Sequence, residues 1–189
     1  MSRVHEDKDM KIFGSNRADK SFLNSELYGD DADYQKQKEN GNVDKAKELG
    51  VLLANEFVSV CRKDELTLSQ NDNESLMTQK ILLLSFTVMA GLEEFCDNIA
   101  IANTARTSFF DKLYELDNDL FVRSSDTGAF SFYYLSFRRG TEVDRRVGQT
   151  FAMLCSHDGD PIYQELGEAL YCWFFSIIQK KVEQAEFVK

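Results

Sequence analysis

The sequence predicts an all-α protein, a single antiparallel bundle of about five or six helices that follows a polar N-terminal arm. The chain has one proline in 189 residues, and this residue, Pro161, directly follows Asp160. Proline is tolerated at that position because the first turn of a helix leaves its N–H groups unpaired in any case. Elsewhere apolar residues recur at spacings of three and four, which is the period of a helix with one buried face. The connections between these stretches are short, so successive helices are expected to lie antiparallel.

Residues 1–42 form the predicted arm. This segment is polar, and its apolar residues occur in small islands. The islands are Ile12-Phe13, Phe22-Leu23, Leu27-Tyr28 and Tyr34. Two interpretations remain open, namely a partly disordered tail and an arm that docks on the body of the protein or on a partner.

Residues 43–189 form the predicted bundle, and its first two helices cover 43–63 and 73–96. The first helix carries a stripe of apolar residues that includes Leu49, Leu53 and Phe57. The second is apolar on nearly every side over residues 81–92, which predicts a central helix surrounded by the others. Gly91 lowers the helix propensity there by about 1 kcal/mol, so we expect a neighbouring helix to approach closely at this residue.

The third helix is predicted over 98–116, and the acidic residues after it have the wrong sign for a helix C-terminus. We therefore expect Asp119 to cap a short turn over 120–123. A fourth helix is predicted over 127–139, with Gly140 ending it. Thr141 and Asp144 have the spacing of a helix start, which predicts a fifth helix ending at 156 or 157.

The last helix is predicted to begin at Pro161, with Asp160 as its cap, and to reach about residue 187. The chain has no repeat of fixed period and no low-complexity tract. These elements complete one compact domain.

Composition and charge argue against several classes of partner. The formal net charge is −10, from 22 basic and 32 acidic residues, and 43 % of the residues are hydrophobic. Binding to nucleic acid or to an anionic membrane surface needs clustered cations, so we expect neither. The longest apolar stretch, 81–92, is shorter than the about 20 residues that a membrane-spanning helix needs.

The four cysteines, Cys61, Cys96, Cys155 and Cys172, are far apart in the sequence and form no Cys-x-x-Cys pair. Each lies in an apolar run, where a free thiol behaves as a small hydrophobic group. The N-terminal residues are charged, unlike the apolar core of a secretion signal. We therefore expect reduced thiols and a cytoplasmic location.

The residues for catalysis or metal binding are sparse. The two histidines, His5 and His157, do not fit the Glu-x-x-His pairs of di-iron bundles. Cys155 lies two residues before His157, a spacing that separates side chains on a helix. Glu93 and Glu94 could contribute to an acidic site, and the alternative is that they pair with Arg106 or Arg123. We therefore predict no catalytic residues, no metal and no cofactor, and we favour a protein that is not an enzyme.

Aromatic density provides the candidate binding residues, because one helix cannot bury so many rings on one side. The candidates for an interface or a pocket are Phe130, Phe132, Tyr133, Tyr134, Phe137, Tyr171, Trp173 and Phe175. A second candidate is an anion site around the Gly140 turn, for which the alternative role is to complement a helix end. Its members are Arg138, Arg139, Arg145 and Arg146.

Two hypotheses about function follow from these residues. The first is an acidic helical protein that acts through protein–protein contact, with self-association as the favoured form. The alternative is a small-molecule sensor or carrier, whose aromatic pocket between helices takes an apolar or anionic ligand. That pocket is expected near Tyr133, Tyr134, Trp173 and the arginines of the Gly140 turn.

Overall fold

A computed structural model describes residues 31–62, 73–125, 127–138 and 140–188. These residues form eight α-helices and no strand, which confirms the all-α prediction. The helices are α1 (Asp31–Glu39), α2 (Asn42–Arg62), α3 (Asn73–Phe95), α4 (Ile99–Leu116), α5 (Asn118–Arg123), α6 (Thr127–Arg138), α7 (Val143–Leu154) and α8 (Pro161–Gln184). The count exceeds the predicted five or six because α1 forms within the segment predicted as the arm and the expected turn at 120–123 is a short helix. The apolar islands at 12–13, 22–23 and 27–28 lie outside the described residues.

The helix α3 lies at the centre of the bundle, as predicted, and divides the core into two clusters. On one side Leu84 and Val88 pack with residues of α2, α4 and the C-terminal half of α8. On the other side Leu83 and Phe86 pack with α6, α7 and the N-terminal half of α8. A helix that contributes to two cores must be apolar all round, which explains its sequence.

Close helix approaches occur where small residues remove side-chain bulk. A Cβ added to Gly91 of α3 would lie 2.8 Å from a side-chain carbon of Ile178 in α8, as the sequence led us to expect. The approach of α2 to α4 is closer still, because a Cβ on Gly50 would collide with the backbone carbonyl of Ala105. The bundle therefore depends on these glycines for the spacing of its helices.

By length and composition, α3 could also cross a membrane, so the sequence estimate based on residues 81–92 was too short. The candidate span covers residues 74–95, and 72 % of its apolar window is buried inside the fold. Burial of most of this window by other helices is the environment of a core helix.

Two predicted helix boundaries are confirmed in detail. Asp160 accepts a hydrogen bond from the backbone N–H of Ile162 at 2.9 Å, and Pro161 is the first residue of α8. Gly140 follows α6 with a φ of +70°, a left-handed conformation that glycine adopts without strain.

Two other helix starts differ from the prediction. The cap of α5 is Asp117, not Asp119, because the carboxylate of Asp117 accepts from the N–H of Leu120 at 3.0 Å. The start of α7 uses no side-chain cap, since Glu142 occupies the cap position with a φ of +50° and Thr141 lies outside the helix. The chain turns there through backbone geometry and not through a capping hydroxyl.

The two ends of the described chain meet at Asn42. Its buried amide donates to the carbonyl oxygen of Val188 at 2.7 Å and accepts from the N–H of the same residue at 2.9 Å. The amide also donates to Gln37 of α1 at 2.6 Å. This arrangement holds α1 and the segment after α8 against the bundle, and α8 itself ends at Gln184 instead of reaching 187.

Candidate ligand-binding pocket

A cavity of about 670 Å³ lies between α3, α4 and α6. We call it the Arg106 pocket. Its lining consists of Phe86, Met89, Glu93 and Cys96 from α3 and the residue after it, Ile99, Ala102, Asn103 and Arg106 from α4, and Phe130, Ser131, Tyr134 and Arg138 from α6. Most of these residues are three or four positions apart on their own helix, so each helix presents one face to the cavity.

The inner wall of the pocket is apolar. Phe86 and Ala102 are buried, and the ring centroids of Phe86 and Phe130 lie 6.4 Å apart. Cys96 is also buried, and desolvation raises the pKa of its thiol to about 12. The thiol is therefore neutral near pH 7 and contributes an apolar surface, not a nucleophile.

A chain of hydrogen bonds joins α3 to α6 at the solvent side of the pocket. The phenol of Tyr134 donates to the carboxylate of Glu93, with O–O distances of 3.0 and 3.1 Å. Arg138 donates to the same phenolic oxygen at 3.1 Å, and its guanidinium carbon lies 4.8 Å from the centroid of the Tyr134 ring. These three side chains fix the position of one another, and Glu93 and Arg138 are exposed to solvent.

Arg106 of α4 also lines this pocket, and its Nε is a polar atom that lacks a hydrogen-bond partner among the described residues. This nitrogen is buried, and the described part of the chain gives the guanidinium no ion pair. The expected pairing of Glu93 with Arg106 or Arg123 is not formed. Glu93 instead accepts from Tyr134, and Arg123 lies 3.9 Å from Asp119 and donates to Thr78 at 3.2 Å.

The aromatic candidates fall into three environments. Phe130 and Tyr134 line the Arg106 pocket. Four others are buried or half-buried in the cores; these are Tyr133, Tyr171, Phe137 and Phe175. Phe132 and Trp173 are exposed, at 49 % and 46 %. We expected Trp173 and Tyr133 to line a pocket together with Tyr134. Neither is among the residues that line the Arg106 pocket, since Trp173 lies on α8 and Tyr133 is a core residue with no exposed surface.

The arginines around Gly140 are not assembled into one site. Arg138 lines the Arg106 pocket, whereas Arg145 lies on α7 with its guanidinium 3.5 Å from Glu142. Arg146 donates to Thr141 at 3.4 Å and lines a separate hollow of about 190 Å³. Arg139 lies outside the described residues. Of the described arginines of this group, only Arg138 lines the larger cavity.

The described residues contain no group of three or more His, Cys, Asp and Glu side chains that could hold a metal ion. Cys155 is buried, and desolvation raises the pKa of its thiol to about 12. The ring of His157 stacks on Tyr163 with a centroid distance of 3.7 Å, and its Nδ1 lies 4.0 Å from a carboxylate oxygen of Asp160. The contacts of both residues are those of packing and of a helix boundary.

A second cavity, of about 620 Å³, lies where α1, the start of α4 and the end of α8 meet. Its apolar residues include Phe95, Ile101 and Phe187, and Glu183 and Glu186 lie at its edge. The described residues of this lining include acidic groups and no arginine or lysine, so their electrostatic character is opposite to that of the Arg106 pocket.

The sequence alone indicated Tyr134 and Arg138 as candidate binding residues and showed the aromatic content of α6. It did not indicate that Arg106 would lack a partner. One signal was present, since Arg106 is four residues after Ala102 and seven after Ile99, on an otherwise small and apolar face of α4.

No family model, no curated protein and no solved structure matches this chain. The site therefore has to be interpreted from its own geometry.

Proposed function

We propose that this protein is a small-molecule sensor or carrier that binds its ligand in the Arg106 pocket. The observation that carries the proposal is an arginine that lines a cavity of about 670 Å³ and whose buried Nε has no hydrogen-bond partner among the described residues. Leaving such a donor unpaired costs free energy, and a ligand that pairs with this guanidinium offsets part of that cost.

The size and chemistry of the pocket support this function. Small-molecule sites are usually concave, have volumes of about 300–1,000 Å³, and combine apolar walls with a few polar groups that orient the ligand. The Arg106 pocket has these properties, with Phe86, Met89 and Phe130 as apolar surface and Arg106 as the orienting group. The elevated pKa of Cys96 supports binding and not catalysis as the role of this site. The four free cysteines support the cytoplasm as the proposed location.

A variant that fills the pocket tests the proposal. Ala102 lies on the wall and is buried, so Ala102→Phe places a ring where a ligand would bind, whereas Ala169→Phe adds the same bulk at an exposed position of α8. A thermal-shift screen with apolar acids, alcohols, amines and phosphate esters is the assay. A ligand at 100 times its Kd stabilises the folded state by about 2.7 kcal/mol.

We expect at least one compound class to raise the Tm of the wild-type protein and of Ala169→Phe, and to lose this effect in Ala102→Phe. Circular dichroism of each variant confirms that the helices are intact. No shift with any class, or an equal shift in Ala102→Phe, would show that the pocket is not the ligand site.

A second candidate function is self-association through α6 and α7. Phe132 and Leu135 are 49 % and 62 % exposed and lie three residues apart on α6. Ser136 and Thr150, hydrogen-bonded at 2.9 Å, place α7 beside this face, and Met153 of α7 is 40 % exposed. Exposed apolar side chains on two neighbouring helices favour contact with a second copy of the chain.

Light scattering at micromolar concentration tests this candidate. We expect the wild-type protein to form a dimer that Leu135→Lys dissociates, because a buried unpaired ammonium is unfavourable in an interface. Val122→Lys is the matched control, since Val122 is 63 % exposed on α5. A wild-type protein that stays monomeric over this concentration range would exclude self-association.

A further inference from the structure

We infer that the ligand of the Arg106 pocket is an apolar monocarboxylate whose carboxylate pairs with Arg106. This inference rests on the proposed function and adds the chemical class of the ligand. It follows from the charges on the pocket wall, from the position of the apolar surface and from the groups that are already paired.

The charges on the wall favour a ligand with one negative charge. The described residues of the lining include two arginines and one glutamate, and 2 − 1 gives them a formal charge of +1. The protein as a whole carries a charge of −10, so this positive wall lies in an acidic molecule. A monoanion neutralises it, whereas a dianion would leave one charge unpaired in a partly apolar site, which is unfavourable.

The free donor of Arg106 identifies where the anion binds. Arg138 is already held by the phenolic oxygen of Tyr134 at 3.1 Å, and the Glu93 carboxylate already accepts from that phenol. The Nε of Arg106 has no hydrogen-bond partner among the described residues. A planar guanidinium matches the two oxygens of a carboxylate. Arg106 is thus the binding group, and Glu93 repels a second carboxylate at the solvent side.

The rest of the cavity fits an apolar body. Phe86 and Glu93 are seven residues apart on α3, which corresponds to about 10 Å along the helix axis. Along this length the wall includes Met89 and Phe130. Among the described residues, the charged side chains of the lining are those of Glu93, Arg106 and Arg138. A short chain or a single aromatic ring attached to the carboxylate would bury its surface there.

Four compounds with the same apolar body and different head groups separate the contribution of the carboxylate from that of the apolar body. They are 4-phenylbutyrate, the neutral 4-phenylbutanol, the cationic 4-phenylbutylamine and the dianionic 4-phenylbutyl phosphate. Isothermal titration calorimetry measures the Kd of each for the wild-type protein. We expect the carboxylate to bind roughly 10- to 100-fold more tightly than the alcohol, because hydrogen bonds to charged groups contribute an amount of this order.

Variants of the arginine complete the experiment. In Arg106→Gln the carboxylate and the alcohol should bind about equally, and Arg106→Lys should restore part of the preference by keeping the charge without the planar fork. Arg145→Gln removes an exposed arginine outside the pocket and should retain the full wild-type preference.

The outcomes distinguish the inference from the function on which it rests. Equal binding of alcohol and carboxylate by the wild-type protein, or a preference for the phosphate or the amine, overturns the monocarboxylate while leaving a small-molecule site. Absence of binding by all four compounds overturns the monocarboxylate, and the pocket-filling screen then decides separately whether the site binds another class. Because the preference is measured first in the wild-type protein, the test does not depend on the folding of a variant.

Discussion

Replacement of Arg106 by methionine should stabilise the ligand-free protein, although it removes a charged residue from a helix. The buried Nε of Arg106 has no hydrogen-bond partner among the described residues, and an unsatisfied buried donor costs about 1–3 kcal/mol. Arg106 is only partly buried, so the lower end of this range applies. Methionine has an unbranched stem and a helix propensity close to that of arginine, so packing and backbone terms change little.

The expected result is a gain of about 1 kcal/mol in the free energy of unfolding, which corresponds to a rise in Tm of about 2–4 °C for a domain of this size. Urea denaturation followed by circular dichroism measures it, with the midpoint shifting at constant slope. Arg145→Met is the matched control, because that arginine is exposed and its pairing with Glu142 at 3.5 Å contributes little. Residues kept for binding commonly reduce stability in this way.

A loss of 1 kcal/mol or more in Arg106→Met, with Arg145→Met unchanged, would refute this reasoning. It would mean that the guanidinium stabilises the fold itself, and Arg106 would then be a structural residue rather than a ligand-binding one.

Three further predictions concern the packing, the pH dependence and the thiols. Gly50→Ala should lower the free energy of unfolding by about 2 kcal/mol, because the new Cβ would collide with α4 although alanine has the better helix propensity. Urea titrations measure this change, and an unchanged or higher stability would show that the two helices separate freely. The N–H of Leu120 and then Arg62 hold the pKa of Asp117 below its ordinary value, so its contribution is complete above pH of about 4 and is lost as the pH falls further. Asp117→Asn should therefore flatten the acid limb of the stability profile, and an unaltered limb would exclude this carboxylate as its source. Brief treatment of the native protein with iodoacetamide should label Cys172 first, because it is exposed and the other three cysteines are buried. Mass spectrometry of the peptides measures the labelling, and equally fast labelling of Cys61 would contradict this prediction.

The helices were predictable because their signals are local. The apolar period of α2, the proline at the start of α8 and the glycine after α6 each act within a few residues, so no knowledge of the neighbours is needed. The same holds for the central position of α3, since a helix that is apolar on all sides has to be surrounded. Local signals were less informative where two neighbouring residues could each cap the same helix. Asp117 and Asp119 are both suitable caps, and Asp117 is further held by Arg62 of α2, a residue that is distant in the sequence.

The pocket was predictable only in part. The aromatic residues of α6 indicated that some rings would meet a cavity, and Phe130 and Tyr134 do so. The sequence did not distinguish the exposed Trp173 from these pocket residues, because its exposure depends on which sides of α8 pack against α3 and α7. The collision that a side chain at Gly50 would cause was also hidden, since it depends on how closely α4 approaches.

The order of residues along this chain was enough to determine that it folds as helices, where most of them begin and end, and which of them is central, because hydrogen bonds within a helix and the period of its apolar face involve near neighbours. The tertiary structure alone decided that Arg106 lines a cavity and that its Nε has no partner among the described residues. It also decided that Glu93 accepts a hydrogen bond from Tyr134. That outcome depends on the relative positions of three helices, and pairing between side chains distant in the sequence is set by packing and not by local preference.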